Sequence, residues 1–89
     1  TPFLIYPNPT KDFIVIENKN NIKIKEIKLL DLSGKTVVNY DSMERKLDLS
    51  GLSAGVYVLA INSEEGIFKN KIVKESDVLS AALKICKSI

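Results

Sequence analysis

The sequence contains no histidine, no tryptophan and a single cysteine. Without histidine, the chain lacks the usual general base of enzymes and the commonest metal ligand, which excludes most hydrolase mechanisms. One cysteine excludes an intrachain disulfide, so the fold depends on packing alone. Long apolar runs are also missing: none approaches the roughly 20 residues of a membrane-spanning helix, and no basic-then-apolar start of the signal-peptide type is present.

An excess of charge of one sign is the next feature that the sequence lacks. The sequence has thirteen lysines and arginines and eleven acidic residues, which gives a net charge of +2. Because the lysines are spread along the chain, the long-range field is weak and a nucleic-acid partner is disfavoured. The chain begins at Thr1 without an initiator methionine, and we expect it to be a piece of a longer protein.

The apolar residues indicate one β-rich domain. Hydrophobic residues make up 45% of the 89 residues and are mainly Ile, Val and Leu, and a chain of this length has surface for one modest core. Short apolar runs separated by turn residues, without a helical period before residue 76, predict an all-β, immunoglobulin-like antiparallel sandwich of about seven strands. The predicted strands are 3–6, 12–17, 22–32, 36–40, 45–49, 55–61 and 67–74.

Details of the pattern predict local features of these strands. The alternation slips by one residue at Lys25 and Glu26, which predicts a bulge or a break. A Ser-Gly corner at Gly34 predicts a hairpin, and Gly51 and Gly55 are expected to bracket a corner that other residues would strain. The residues predicted to contribute to the core are Phe13, Val15, Ile24, Leu29, Val37, Leu49, Val56, Val58, Leu59 and Ile72.

The segment 76–89 differs from the rest because its apolar residues recur at helical spacing. We predict a short C-terminal helix over 77–87 that packs against an apolar surface of the same molecule or of a neighbour, which allows self-association through the tail. Cys86 lies on the apolar side of this pattern and is interpreted as a small buried hydrophobe. The neighbouring Lys84 and Lys87 leave a reactive thiol as the alternative.

Acidic and basic side chains offer two candidate sites. Five carboxylates near strand ends are interpreted as solvated or turn-capping groups, with an oxygen-rich calcium loop as the alternative; they are Asp31, Asp41, Asp48, Glu64 and Glu65. The last strand is expected to carry Lys69, Lys71 and Lys74 as exposed charges. These lysines either prevent sheet-to-sheet association or are recognised by a partner, to which Lys69 and Lys71 would present paired charges because they share one face. The Tyr57 ring is expected in the core, with its hydroxyl on a backbone group or water.

Three stretches occur in a fixed order between Leu4 and Lys74. The first is Tyr-Pro-Asn-Pro-Thr at 6–10, which runs into Asp12 and Phe13. The second is 27–37, with Leu-Ser-Gly-Lys at 32–35, and the third is 49–59, with Gly-Val-Tyr at 55–57, together with Lys-Ile-Val-Lys at 71–74. Each alone is a common turn or strand fragment. Together they resemble the C-terminal sorting domains of the type IX secretion system of Bacteroidetes.

This resemblance implies a non-catalytic domain at the end of an exported cargo protein. Such a domain directs the cargo across the outer membrane and is typically removed by a surface sortase, here at or before Thr1, so the implied partners are the outer-membrane secretion machinery and that sortase. The implied location is the periplasm in transit, then the cell surface or medium. No cofactor or metal is implied. The resemblance assigns recognition by the machinery to Gly55, Tyr57, Lys69, Lys71, Ile72, Val73 and Lys74, and structural roles to Tyr6, Pro7, Asn8, Pro9, Gly34 and Gly51.

One departure from the family pattern concerns the C-terminal segment. Family members usually stop at or just after the strand that corresponds to 71–74, whereas this chain continues from Glu75 to Ile89. We therefore divide the chain into a sorting domain, 1–75, and a helical tail or extension, 76–89. An extracellular immunoglobulin-like binding or adhesion module appended to an enzyme is the second functional hypothesis, and it requires an exposed aromatic platform or an acidic metal loop.

Overall fold

The computed structural model describes residues 2–75, which form seven β-strands and no helix. The strands are β1 Phe3–Tyr6, β2 Phe13–Asn18, β3 Ile24–Leu30, β4 Thr36–Tyr40, β5 Lys46–Asp48, β6 Gly55–Ser63 and β7 Gly66–Lys74. The all-β prediction and the number of strands are confirmed. The helix predicted over 77–87, Cys86 and the rest of the tail lie outside the described residues. Within residues 2–75 there is also no helix with the length and apolar character needed to span a membrane.

The strands form two antiparallel sheets. One sheet has the order β1-β2-β5 and the other the order β4-β3-β6-β7. The longest pairing is the β6–β7 hairpin, which runs from Gly55 opposite Lys74 to Ser63 opposite Gly66. Within residues 2–75, β7 pairs along only one side with a full strand, so the strand that carries the Lys-Ile-Val-Lys motif lies at an edge of the larger sheet.

The slip in the sequence pattern of β3 is a real irregularity in its pairing. The register of β3 against β6 shifts between Ile24 and Glu26, which confirms the bulge predicted at this point. A second shift, between Leu29 and Leu30, occurs in the pairing with β4. The first shift lets Ile24 and Ile27 both lie in the core although they are three residues apart.

The corner between β3 and β4 is organised by one aspartate and one glycine. The Asp31 Oδ1 atom accepts hydrogen bonds from the backbone N–H of Ser33 (2.9 Å) and of Lys35 (3.0 Å). Gly34 has a φ of 90°, a conformation that residues with a Cβ atom rarely adopt. The hydrogen bond from the Ser33 side chain, followed by the backbone bond from Lys35, lowers the pKa of Asp31. This hairpin is therefore built as the Ser-Gly signal predicts.

One hydrophobic cluster lies between the two sheets. Rungs of directly opposed residues run across the larger sheet, among them Leu29 opposite Leu59 and Ile27 opposite Ile61. The Phe3 ring of β1 meets the Phe68 ring of β7 edge-on, with centroids 5.4 Å apart. The buried members of the cluster are Phe3, Ile14, Ile16, Ile22, Ile24, Ile27, Leu29, Leu47, Leu49, Leu59, Ile61 and Ile72.

Five of the ten predicted core residues are buried, and the other five lie outside the core. Ile24, Leu29, Leu49, Leu59 and Ile72 are buried, whereas Val15, Val56 and Val58 are half-buried on the outer faces of their strands and do not belong to the cluster. Phe13 and Val37 are exposed, at 37% and 38%. In β2 the residues Ile14 and Ile16 face the core, so strand alternation places Phe13 on the outer face. Val37 lies on the edge strand β4, where its neighbour Val38 packs against the cluster instead.

Candidate recognition surface at the terminal strand

The two faces of β7 differ in chemistry. Phe68, Asn70, Ile72 and Lys74 alternate on the side of the core, while Ile67, Lys69, Lys71 and Val73 alternate on the outer face. Ile72 is fully buried, and Lys69 and Lys71 are exposed. The structure therefore confirms that these two lysines share one face. Neither lysine forms an ion pair within residues 2–75. The ion pair in this part of the chain joins Lys28 and Glu26 at 2.8 Å.

Lys74 does not belong to this exposed pair. It is 6% exposed, and its Nζ atom donates to the backbone oxygen of Glu75 at 3.1 Å. The expectation that Lys74 presents an exposed charge like Lys69 and Lys71 is wrong. The reason is the two-residue period of the strand, which places position 74 on the same side as Ile72. The apolar stem of the side chain is buried while the ammonium group reaches the end of the strand.

The Asn8 side chain binds the outer edge of β7. Its Nδ2 donates to the backbone oxygen of Lys71 at 2.7 Å, and its Oδ1 accepts from the backbone N–H of Val73 at 3.0 Å. One side-chain amide thus supplies the donor and the acceptor that a neighbouring peptide group would supply in a sheet. The flanking Pro7 and Pro9 have no backbone N–H, so in this segment the side chain supplies that donor.

Thr10 continues this contact toward the end of β7. Its backbone N–H donates to the oxygen of Val73 at 2.9 Å, and its backbone oxygen accepts from Glu75 at 2.7 Å. It forms a parallel bridge with Lys74, and its hydroxyl donates to the backbone oxygen of Phe13. We call residues 7–10 the latch. The latch covers the outer edge of β7 from the oxygen of Lys71 to the N–H of Glu75.

The first half of the same edge is left unpaired by the described residues. The N–H and C=O of one residue point to the same side of a strand, and alternate residues point to opposite sides. The latch binds the N–H and the C=O of Val73, so these groups point to the outer edge. By the same rule, the outer edge also carries the N–H and C=O of Ile67 and Lys69 and the N–H of Lys71. No strand or latch residue within 2–75 pairs with them. The edge of β7 is therefore half closed and half open.

Gly55 and Tyr57 lie opposite the closed half, on β6. Gly55 pairs with Lys74, and Tyr57 pairs with Ile72. The half-buried Tyr57 ring packs against the core, and its hydroxyl donates to the backbone oxygen of Ser53 at 2.6 Å, as predicted. The Gly-Val-Tyr and Lys-Ile-Val-Lys motifs are therefore paired strands, and the Tyr-Pro-Asn-Pro-Thr motif is the latch bound to one of them.

The corner before β6 needs glycine at only one of its two ends. Gly55 has a φ of 157°, whereas the φ of Gly51 is not positive and an added Cβ would meet no atom within 4 Å. The prediction that Gly51 relieves strain is therefore wrong. The corner is held instead by hydrogen bonds from Leu52 N–H to the Leu49 oxygen (3.0 Å) and from Ser50 N–H to Asp48 Oδ1 (2.9 Å).

The carboxylates are used for turns. The Oδ1 atoms of Asp31, Asp41 and Asp48 each accept a backbone N–H from the residue two positions later. Hydrogen bonding to Ser50, first from its side chain and then from its backbone, lowers the pKa of Asp48. Within residues 2–75 no group of three or more acids or cysteines is arranged to hold a metal ion. These contacts confirm the turn-capping interpretation for the three aspartates.

The Tyr40 hydroxyl gives a prediction about alkaline pH. Burial, followed by the charges of Asp48 and Glu44, raises the pKa of Tyr40 to about 12, and the hydroxyl donates to the Asp48 backbone oxygen at 2.8 Å. A folded-state pKa above the unfolded value of about 10 favours the neutral phenol in the fold. We expect this contribution to be complete below pH 10 and lost between about pH 10 and 12.

Phenolate absorbance and urea unfolding across this range measure both effects. In Tyr40→Phe, the ionisation near pH 12 should be absent and the fall in stability above pH 10 should be smaller than in the wild type. An unchanged alkaline titration in the variant would contradict the assignment.

Several contacts of this surface are not evident in the sequence. The pairing of Asn8 with Lys71 and Val73 joins positions more than sixty residues apart, and no local pattern indicates it. A polar residue between two prolines is the signal that was available, since such a segment cannot pair as an ordinary strand. The buried Thr10 and the inward Asn70 were likewise not predicted.

Comparison with known proteins gives a matching family and a relative. The family described as the secretion system C-terminal sorting domain matches residues 4–75. Beta-agarase D of Zobellia galactanivorans is 31% identical over 70 residues, which cover 78% of this chain and 14% of the relative. The chain thus spans about a seventh of the length of that relative. The family match begins within β1 and ends at Glu75, the last residue bound by the latch.

Proposed function

Because this chain belongs to the family of secretion system C-terminal sorting domains of type IX, we propose that it is a non-catalytic signal that directs a cargo protein through the type IX secretion system. Domains of this family mark proteins that are exported to the cell surface or medium. The proposed signal is the folded unit of residues 1–75. The proposed direct partner is the outer-membrane secretion machinery.

The observation that supports this proposal is the convergence of the family motifs on one strand. Residues 71–74 lie on β7. The Gly-Val-Tyr motif lies on β6 and pairs with them, and the latch binds their outer edge. The proposed recognition residues are those that the resemblance assigns: Gly55, Tyr57, Lys69, Lys71, Ile72, Val73 and Lys74. Of these seven residues, which all lie in the described part of the chain, Lys69 and Lys71 carry exposed charges, so we assign direct contact to them and a folding role to Ile72 and Lys74.

Four finer features belong to the same proposal. The two sheets would pack as an immunoglobulin-like sandwich, because residues of both sheets share one hydrophobic cluster. A surface sortase would remove the domain at or before Thr1, after export. The cargo would precede the domain: the relative is named as an agarase, and the matched segment is only 14% of its length. Residues 76–89 would be a separate helical extension, available for self-association.

Export of a fused reporter tests the proposal directly. Residues 1–75 placed behind a reporter in a type IX-competent cell should carry it to the surface or medium, and residues 1–89 should do the same. The control ends the chain at Ile67, which removes most of β7 and uncovers the β6 edge. We expect the control to be retained. Equal export of the 1–75 fusion and of the control that ends at Ile67, or export in a strain that lacks the type IX system, would refute the sorting function.

A second candidate function rests on the outer face of the smaller sheet. Tyr6 and Phe13 are exposed on neighbouring strands, at 44% and 37%, beside the 46% exposed Leu4. An exposed apolar patch of this kind is common at binding sites, which favours an extracellular binding module as the alternative. Leu4→Ser with Phe13→Ser should leave export unchanged if the domain is a sorting signal, and should abolish retention on a surface polysaccharide if it is a binding module.

A further inference from the structure

The open half of the β7 edge has the chemistry of a strand-addition site. Its outward groups are the N–H and C=O of Ile67 and Lys69 and the N–H of Lys71, and none has a partner within residues 2–75. A row of unpaired backbone groups at a sheet edge is a template for another extended chain. The latch closes the edge from the Lys71 oxygen onward, so the length available is that of a short peptide segment.

The side chains beside this edge select the chemistry of that segment. Lys69 and Lys71 are exposed on the outer face without an ion pair in the described part of the chain. Glu26 lies on the same face two strands away, on β3, and is paired with Lys28 at 2.8 Å. Opposite charges on directly facing positions of adjacent strands are stabilising, and like charges are destabilising. An added strand is therefore favoured when it places carboxylates beside the two lysines.

The inner side of the same segment contains a donor that lacks an acceptor. Asn70 Nδ2 is buried and has no hydrogen-bond partner within residues 2–75. Asn70 lies between Lys69 and Lys71, so an added strand would place a side chain next to it on the core side. A hydroxyl oxygen at that position would accept from Nδ2 after rotation of the amide. The preferred segment thus alternates carboxylates on one face with hydroxyl side chains on the other.

A second copy of this chain is a poor occupant of the edge. Pairing β7 with another β7 would bring lysines of one copy beside lysines of the other, at positions 69 and 71, and like charges at facing positions repel. Ile67, which is 64% exposed, offers a single apolar contact against this repulsion. Lysines on this edge therefore oppose self-association and favour an acidic partner.

We propose that the edge of β7 from Ile67 to Lys71 binds an extended acidic segment of a partner protein by strand addition. This inference rests on the proposed function, in which the segment belongs to the secretion machinery. The latch sets the limit of the site, because it occupies the backbone groups that follow. Recognition is then divided between backbone hydrogen bonds, which give the position, and Lys69 and Lys71, which select the charge.

A synthetic peptide that alternates glutamate with threonine tests the site on the full chain. By nuclear magnetic resonance, binding should shift the amides of Lys69 and Lys71 and slow their hydrogen exchange, and it should weaken as salt is added. Lys69→Glu with Lys71→Glu should weaken this peptide about tenfold and improve binding of the matched lysine-threonine peptide. Equal binding of both peptides to the wild type would overturn the proposal. Slow exchange of these amides in the peptide-free chain, which would mean that the edge is already paired, would also overturn it.

Lys69→Pro separates the backbone contribution from the charge. Because the N–H of Lys69 points away from β6, proline there removes no hydrogen bond of the sheet. Lys69→Gln is the matched control that removes the charge alone. We expect both variants to fold. Lys69→Pro should abolish peptide binding, whereas Lys69→Gln should only weaken it; peptide binding by Lys69→Pro would contradict strand addition.

The same variants in the reporter assay distinguish this inference from the sorting function. If the wild-type domain exports the reporter and folded Lys69→Pro exports it equally well, the strand-addition site is wrong and the sorting function stands. If the wild-type domain itself fails to export, the sorting function is wrong whatever the peptide experiments give. Loss of export by Lys69→Pro alone supports both.

Discussion

Leu59→Ala is expected to lower the free energy of unfolding by about 2–5 kcal/mol. Leu59 is fully buried in the middle of β6, opposite Leu29 on β3 and Asn70 on β7. Removal of its three distal carbons leaves a cavity in the cluster that both sheets share, and a small domain can relax around such a cavity only in part. Since domains of this size are stable by only about 5–15 kcal/mol, the variant should unfold at much lower urea concentration.

The matched control is Val58→Ala on the same strand. Val58 is half-buried on the outer face, so its truncation opens no cavity in the core. We expect a loss of about 1 kcal/mol, within the range of ordinary substitutions. Urea unfolding monitored by tyrosine fluorescence gives both values. Losses of equal size would mean that the two faces of β6 contribute equally, and would contradict the one-sided core.

The core was predicted correctly where the sequence alternates cleanly. Ile24 lies between Lys23 and Lys25, and Leu49 lies between Asp48 and Ser50, so the polar neighbours identify the inward position. On β6 the prediction included both Val58 and Leu59 and did not separate the two faces. The run Phe13-Ile14-Val15-Ile16 is apolar at every position and does not identify a face. The prediction placed Phe13 and Val15 in the core, whereas Ile14 and Ile16 face the core and Phe13 is exposed. Packing between the two sheets determines which face of β2 is buried.

The exposure of Phe13 has a local explanation in the neighbouring strand. Lys46 lies on the neighbouring strand β5, and its Nζ atom is 4.3 Å from the centre of the Phe13 ring. A cation over an aromatic face is attracted by the ring and covers part of it, so the outward ring is not fully open to water. This contact depends on the pairing of β2 with β5, which are separated by about thirty residues, and the sequence gives no sign of that pairing.

The candidate site was predicted only in part, because some of its contacts join distant parts of the chain. Strand alternation correctly placed Lys69 and Lys71 together, and the same rule, applied to position 74, would have buried Lys74. The latch depends on two ends of the domain meeting, which no local period can indicate. The family resemblance marked residues 6–9 as structural. The reason, a side-chain amide that binds part of the outer edge of β7, is visible only in the fold.

Asn8→Ala is expected to lower the free energy of unfolding by about 1–3 kcal/mol. The variant loses both side-chain hydrogen bonds to β7, each contributing about 0.5–1.5 kcal/mol net. The loss should be localised: exchange of the Val73 amide, which donates to Asn8 Oδ1, should become faster, while exchange of the Lys69 amide should stay unchanged. Urea unfolding and site-resolved hydrogen exchange measure the two effects.

Asn39→Ala is the matched control for the latch. Asn39 is exposed on the opposite edge strand β4 and its side chain forms no hydrogen bond in the described part of the chain, so its removal should change stability by less than about 0.5 kcal/mol. Asn8→Asp refines the test, because the carboxylate retains an acceptor for the Val73 N–H but has no donor for the Lys71 oxygen. Val73 should then remain protected in Asn8→Asp while overall stability still falls. Fast exchange at Val73 in Asn8→Asp, or no change in Asn8→Ala, would show that the backbone contacts of Thr10 alone hold the edge of β7.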